Sequence, residues 1–144
     1  MHVTIYIETT LVGPVIKNGA YGAVVEYITP SGKTVTREVS GKDLNTTWHR
    51  SALLAIVEAL GILTHPCEVE IVTACRFVAN MINSDNIDRW KRTEWKKSSG
   101  EDVKHKELWQ QYAEYTHKHQ ITAVYEKKHK YSKQILKKIM KKQK

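Results

Sequence analysis

The sequence is poor in residues that staple or punctuate a chain. Its 144 residues include two cysteines, three prolines and seven glycines. Cys67 and Cys75 are too few and too close for a disulfide framework, so both are expected as reduced core thiols in a cytoplasmic protein. Their spacing from the histidines matches no zinc pattern. No apolar run approaches the roughly eighteen residues of a membrane span, and the N-terminus lacks a secretory pattern. Acid is also scarce, with 15 Asp and Glu against 23 Lys and Arg, a net charge of +8. From Lys127 onward, "KKHKYSKQILKKIMKKQK" holds nine lysines and no acid. Such patches attract polyanions through counterion release. The plainer reading of the tail is a solvated helix face.

What is present suits one globular domain over residues 1–144. "HVTIYIET" alternates Val3, Ile5 and Ile7 against Thr4, Tyr6 and Glu8, which predicts a strand. "AYGAVVEYIT" predicts a second. "PSG" at 30–32 is a turn signal, and "KTVTREVS" is a third strand, giving an antiparallel meander. Ala52, Ala55, Ile56, Ala59, Leu60 and Leu63 make one helical stripe, capped by Thr46 or Thr47 and stopped by "THP" at 64–66. "EVEIVT" reads as a short buried strand running into a helix over 75–83. Leu108, Tyr112 and Tyr115 mark a further helix, "ITAVYE" a last strand, and 129–144 a lysine-rich helix with Ile135, Leu136 and Ile139 facing inward. The order is β-β-β-α-β-α-α-β-α, with no internal repeat.

Five pieces in this order resemble type 1 ribonuclease H. "IYIETT" is similar to its first strand, where Thr-Asp-Gly-Ser is usual, and "GAYGAVVEY" to its second. "TTWHRSALLAIVEAL" resembles its Thr-Thr-Asn-Asn-Arg-x-Glu-Leu helix start, and "IVTACRFV" its Thr-Asp-Ser-x-Tyr-Val junction. "RWKRTEWKK" with "ELWQQ" resembles its basic protrusion, expected here over 87–103. The resemblance implies an α/β ribonuclease H-like fold, a mixed five-stranded sheet with helices on both faces.

It also implies four carboxylates that hold two Mg²⁺ for phosphodiester hydrolysis. The first falls on Glu8, which keeps the charge. The others fall on Ala52, Ala74 and Leu136, with Ile135 the alternative to Leu136. Glu58 points away from Ala52, and Glu70 lies roughly 13 Å back along the strand from Ala74 at about 3.3 Å per residue. Glu126 is the one acid placed to substitute. Glu8 is therefore either a surviving metal ligand or a sheet-surface carboxylate paired with a lysine or histidine. His129 occupies the loop where the family has a proton-transfer histidine. The loop is short and the family's following asparagine is Ser132, which favours an exposed, unspecialised ring. No cofactor is expected, and Mg²⁺ or Mn²⁺ only if the chain cleaves.

The binding side keeps more of the pattern. Trp90, Lys91, Arg92, Trp95, Lys96 and Lys97 pair flat apolar surfaces with cations. In the family this segment meets the DNA backbone; alternatively one of these tryptophans is core and the other its cover. Trp109, on an apolar helix face, is read as core. Thr47 matches a phosphate-contacting threonine, Trp48 and His49 replace two asparagines, and Arg76 is placed to hold a phosphate. The expected function is binding of RNA/DNA hybrid or duplex without efficient cleavage. Two alternatives are a weak or unusual metal-dependent ribonuclease H built on Glu8, Glu126 and His129, and a basic module that meets an acidic protein.

Overall fold

The computed structural model describes residues 1–143; Lys144, the end of the expected tail helix, lies outside the described residues. Alternation in β1 (His2–Thr9) buries Val3, Ile5 and Ile7 on one face. β2 (Lys17–Ile28) is buried on both faces from Gly19 to Glu26, and β3 (Thr34–Thr46) follows a turn closed by Thr29 N–H to Lys33 O at 2.8 Å. Gly32 takes φ +89° there, a conformation that suits glycine. β3 runs past the expected end at Ser40, because its ladder with β2 continues to Lys17 opposite Thr46.

Of the two threonines offered as caps, Thr47 caps α1 (Trp48–Gly61): its hydroxyl accepts from Arg50 N–H at 3.2 Å. β4 (Glu68–Thr73) runs through the Ala74-Cys75 junction into α2 (Arg76–Asn83). The order expected from sequence omits one helix, α3 (Asn86–Arg92), which opens the basic segment. Its Ile87 is buried in the core, and burial of that residue anchors a turn too short to show a helical stripe. α4 (Lys106–Tyr115), β5 (Gln120–Tyr125) and α5 (Ser132–Gln143) complete the chain. α5 begins at Ser132 rather than 129, because His129 is held down on β1 as described below.

The sheet order is β3-β2-β1-β4-β5, antiparallel across the first three strands and parallel from β1 through β4 to β5. Helices lie on both faces. One face packs β1, β2 and β4 against α1 and α4, with Ala52, Ala55, Ile56, Ala59 and Leu60 fully buried. Each large aliphatic there contributes about 1.5–3 kcal/mol through burial. The other face carries Ala20 and Val24 under Ile135 and Ile139 of α5. Gly22 permits that approach: a Cβ would stand 2.8 Å from Ile139 Cγ2 and 2.9 Å from Ile135 Cγ2. Both cysteines are free and buried. Among the described residues no helix is long and apolar enough to cross a membrane.

Candidate nucleic-acid interface and the carboxylate positions

Glu8 is the last α5-facing residue of β1, and its side chain is 10% exposed. Its Oε2 accepts from the Ser132 hydroxyl at 2.6 Å and lies 3.0 Å from His129 Nε2. Of the two arrangements open to Glu8, the structure gives it the histidine partner. His129 is not an exposed ring. Its side chain is 1% exposed, with Nε2 also 3.0 Å from Ile7 O and Nδ1 accepting from Tyr131 N–H. Because Nδ1 accepts, the network puts the hydrogen of a neutral ring on Nε2, facing Glu8 and Ile7 O. The sequence reading missed this because Ile7 and His129 are 122 positions apart.

Glu8, Ala74 and Leu136 line one cavity of about 690 Å³, together with Trp48, Tyr125 and four lysines. Ala52 is fully buried and does not line it. Trp48, one helical turn earlier on the same face of α1, borders the cavity instead. Glu58 is engaged elsewhere, accepting from Tyr21 O–H at 2.6 Å; burial and this contact hold the phenol well above its usual range. Glu126 is exposed just beyond β5. Of the four lysines, Lys130 is paired with Glu26 at 2.7 Å. Lys127, Lys128 and Lys133 have no carboxylate partner among the described residues. Arg76 lays its guanidinium over Tyr125, 4.3 Å from the ring centre, at this same border.

The protrusion differs from two free stacking plates. Trp109 is core. Trp90 packs edge-on to it at 6.0 Å, and Trp95 leans on Trp90 at 6.1 Å, both half-buried. The chain turns back at Glu94 and Trp95, both at positive φ (55° and 62°), and Trp95 N–H bonds to Trp90 O at 2.7 Å. Left-handed backbone costs about 1–2 kcal/mol per ordinary residue, which packing of the half-buried Trp95 indole on Trp90 offsets. Lys96 is tied to Asp102 at 2.6 Å. Lys91, Arg92 and Lys97 have no ion pair among the described residues.

Two residues absent from the sequence reading join this surface. Phe77 is 50% exposed and stacks flat on His49, with centroids 4.4 Å apart and planes 10° from parallel. Lys104 lines a cavity of about 250 Å³ with His49, Phe77 and Lys97. Burial, then Lys104, holds the His49 pKa below its usual value. Phe77 was hidden among the apolar positions of α2, where Val78 and Ile82 take the core side. Thr47, Trp48, His49 and Lys104 together line a further hollow against the exposed apolar loop Gly13–Ile16.

A ribonuclease H family model matches residues 2–134. The chain belongs to the ribonuclease H family. A ribonuclease H of Lachnoclostridium phytofermentans is 33% identical over 129 residues, covering 90% of this chain and 82% of its own. One of Clostridium botulinum is 37% identical over 111 residues, covering 77% and 71%. Among solved structures, LC9-RNase H1, a type 1 RNase H with the type 2 active-site motif, superposes with a TM-score of 0.75 at 24% identity, covering 99% of this chain and 73% of that one. A foamy viral protease-reverse transcriptase in complex with RNA/DNA hybrid gives 0.67 at 18% identity, covering 86% and 17%. The ribonuclease H family implies a pair of Mg²⁺, and the residues present do not fit that pair. Among the described residues no three acidic, histidine or cysteine side chains come together as a metal site. The single carboxylate on the cavity is already bonded to Ser132 and His129, and unpaired lysines surround it. Mg²⁺ requires several hard oxygens and loses its water reluctantly.

Proposed function

We propose that this member of the ribonuclease H family binds nucleic acid, an RNA/DNA hybrid or a duplex, and does not cleave it efficiently. The observation that carries the reading is the Glu8 clamp. The one acid at the carboxylate positions spends its oxygen on Ser132 and His129, while Ala74 and Leu136 line the remaining wall. With His129 buried and using both ring nitrogens, the group the cleaving alternative would use for proton transfer is not free. Binding is supported by the unpaired Lys97, which lines the Lys104–His49–Phe77 cavity, and by the unpaired Lys91 and Arg92 of the same protrusion. The foamy viral enzyme of the same fold has been solved both with RNA/DNA hybrid and with dsDNA. The protrusion contacts phosphate through these cations, and its tryptophans hold the shape of the loop rather than stack on bases.

One labelled hybrid tests both halves in Mg²⁺ and in Mn²⁺. Retention at low salt without cleavage above a buffer control is the expected outcome. Mg²⁺-dependent cleavage that disappears in Glu8→Ala would establish the enzyme reading. Failure to retain hybrid, duplex or single strand would leave the module that meets an acidic protein.

A further inference from the structure

We infer that the cavity at the lost carboxylates is an anion site, built to take the phosphate of one unpaired nucleotide. The inference deepens the nucleic-acid reading at a second place on the same surface, and it does not depend on the protrusion. Three features converge there. The volume, about 690 Å³, lies within the ordinary range of small-ligand sites. The floor is apolar and aromatic: Ala74 and Leu136, positions where the family resemblance puts acids, with Trp48 and Tyr125 beside them. The rim carries Lys127, Lys128 and Lys133, exposed and without carboxylate partners among the described residues.

The charge of the place is therefore reversed relative to a carboxylate site. Its one acid, Glu8, is held by hydrogen bonds from Ser132 and His129, and the three unpaired lysines outnumber it. Lysine ammoniums are compact point charges that suit phosphate. A purely electrostatic phosphate site needs no apolar floor, and a purely apolar site needs no lysines. Together they match a nucleotide, whose sugar and base cover the floor while its phosphate meets the rim. A base inside a duplex cannot reach a concave floor, so the occupant is unpaired, either a free nucleotide or the overhanging end of a strand.

The test follows the indole N–H resonance of Trp48, assigned with Trp48→Phe, in the full chain with EDTA present. Adenosine 5′-monophosphate is expected to shift it saturably, and adenosine to bind at least about tenfold more weakly, the loss of one charge-assisted contact. Lys127→Gln/Lys128→Gln/Lys133→Gln should weaken the monophosphate at least about tenfold with the melting temperature unchanged, since none of the three has a partner to lose. Equal binding of adenosine and its monophosphate, an unaffected triple variant, or no shift by about 10 mM would overturn the inference. A hybrid with a 5′-phosphorylated one-nucleotide overhang, compared with its 5′-hydroxyl twin, separates the sources. Preference for the phosphate assigns the strand end; monophosphate binding without that preference assigns a free nucleotide. Loss of hybrid retention with monophosphate binding intact refutes only the proposed function, and the reverse result refutes only this site.

Discussion

Glu8→Ala separates a structural carboxylate from a catalytic one. The substitution removes the acceptor for the Ser132 hydroxyl at 2.6 Å and the partner of His129 Nε2 at 3.0 Å. Hydrogen bonds to a charged group contribute about 1.5–3 kcal/mol each. His129 keeps Ile7 O as an acceptor, and removing a largely buried carboxylate relieves its desolvation, so the net loss is about 2–4 kcal/mol. Unfolding entropy of about 2.1 cal/mol/K per residue makes 1 kcal/mol worth about 3 °C in a chain of 144 residues. Thermal unfolding at pH 7 should therefore show Tm lowered by about 7–13 °C. Glu8→Gln, which retains one acceptor, should lose only about 1 kcal/mol. Hybrid binding below the melting range should be unchanged, because Glu8 on β1 holds the loop before α5 and lies outside the protrusion. A Tm within about 1 °C of the parent would refute the clamp.

Further outcomes follow from the same geometry. Ala52→Glu should cost about 3–5 kcal/mol, read by urea unfolding, because position 52 is fully buried and the charge would have no partner; a loss under about 1 kcal/mol would show that the side chain escapes into the cavity. Lys91→Ala, Arg92→Ala and Lys97→Ala should each flatten the log–log salt slope of hybrid binding by about one, and Lys96→Ala by less, since Asp102 already holds it. Trp95→Ala should lower stability by about 2 kcal/mol, given its half-buried packing on Trp90, whether or not nucleic acid is present; a variant with parental Tm but weakened binding would restore the stacking role. Burial holds the pKa values of His49, His105 and His119 below the usual histidine value, aided by Lys104, Arg50 and Lys118 respectively. The unfolded chain then binds more protons, so stability is complete above about pH 6.5 and is lost as pH falls through the folded values. Melting temperatures from pH 7.5 down to 5.5 should decline, and a flat curve would refute the depression.

Most of the architecture was legible because it rests on local periodicity. Alternation in residues 2–9 and the 3.6-residue stripe from Ala52 to Leu63 place β1 and α1 without knowledge of anything distant. The placing of Ala52, Ala74 and Leu136 where the resemblance puts carboxylates is likewise an expectation that needs only the string. The short α3 was not legible, since one buried residue, Ile87, carries no period. Contacts across the sheet also required the folded chain. Only the tertiary structure seats His129 on Glu8 and Ile7 O, turns Trp90 onto Trp109 and Trp95 onto Trp90, and exposes Phe77 beside His49. It alone brings lysines of the tail to the cavity that Ala74 borders from β4 and Trp48 from α1. The physical reason is range. Side-chain period is set by neighbours a few residues away, whereas these pairings are set by strand register and by the close approach of α5 that Gly22 permits.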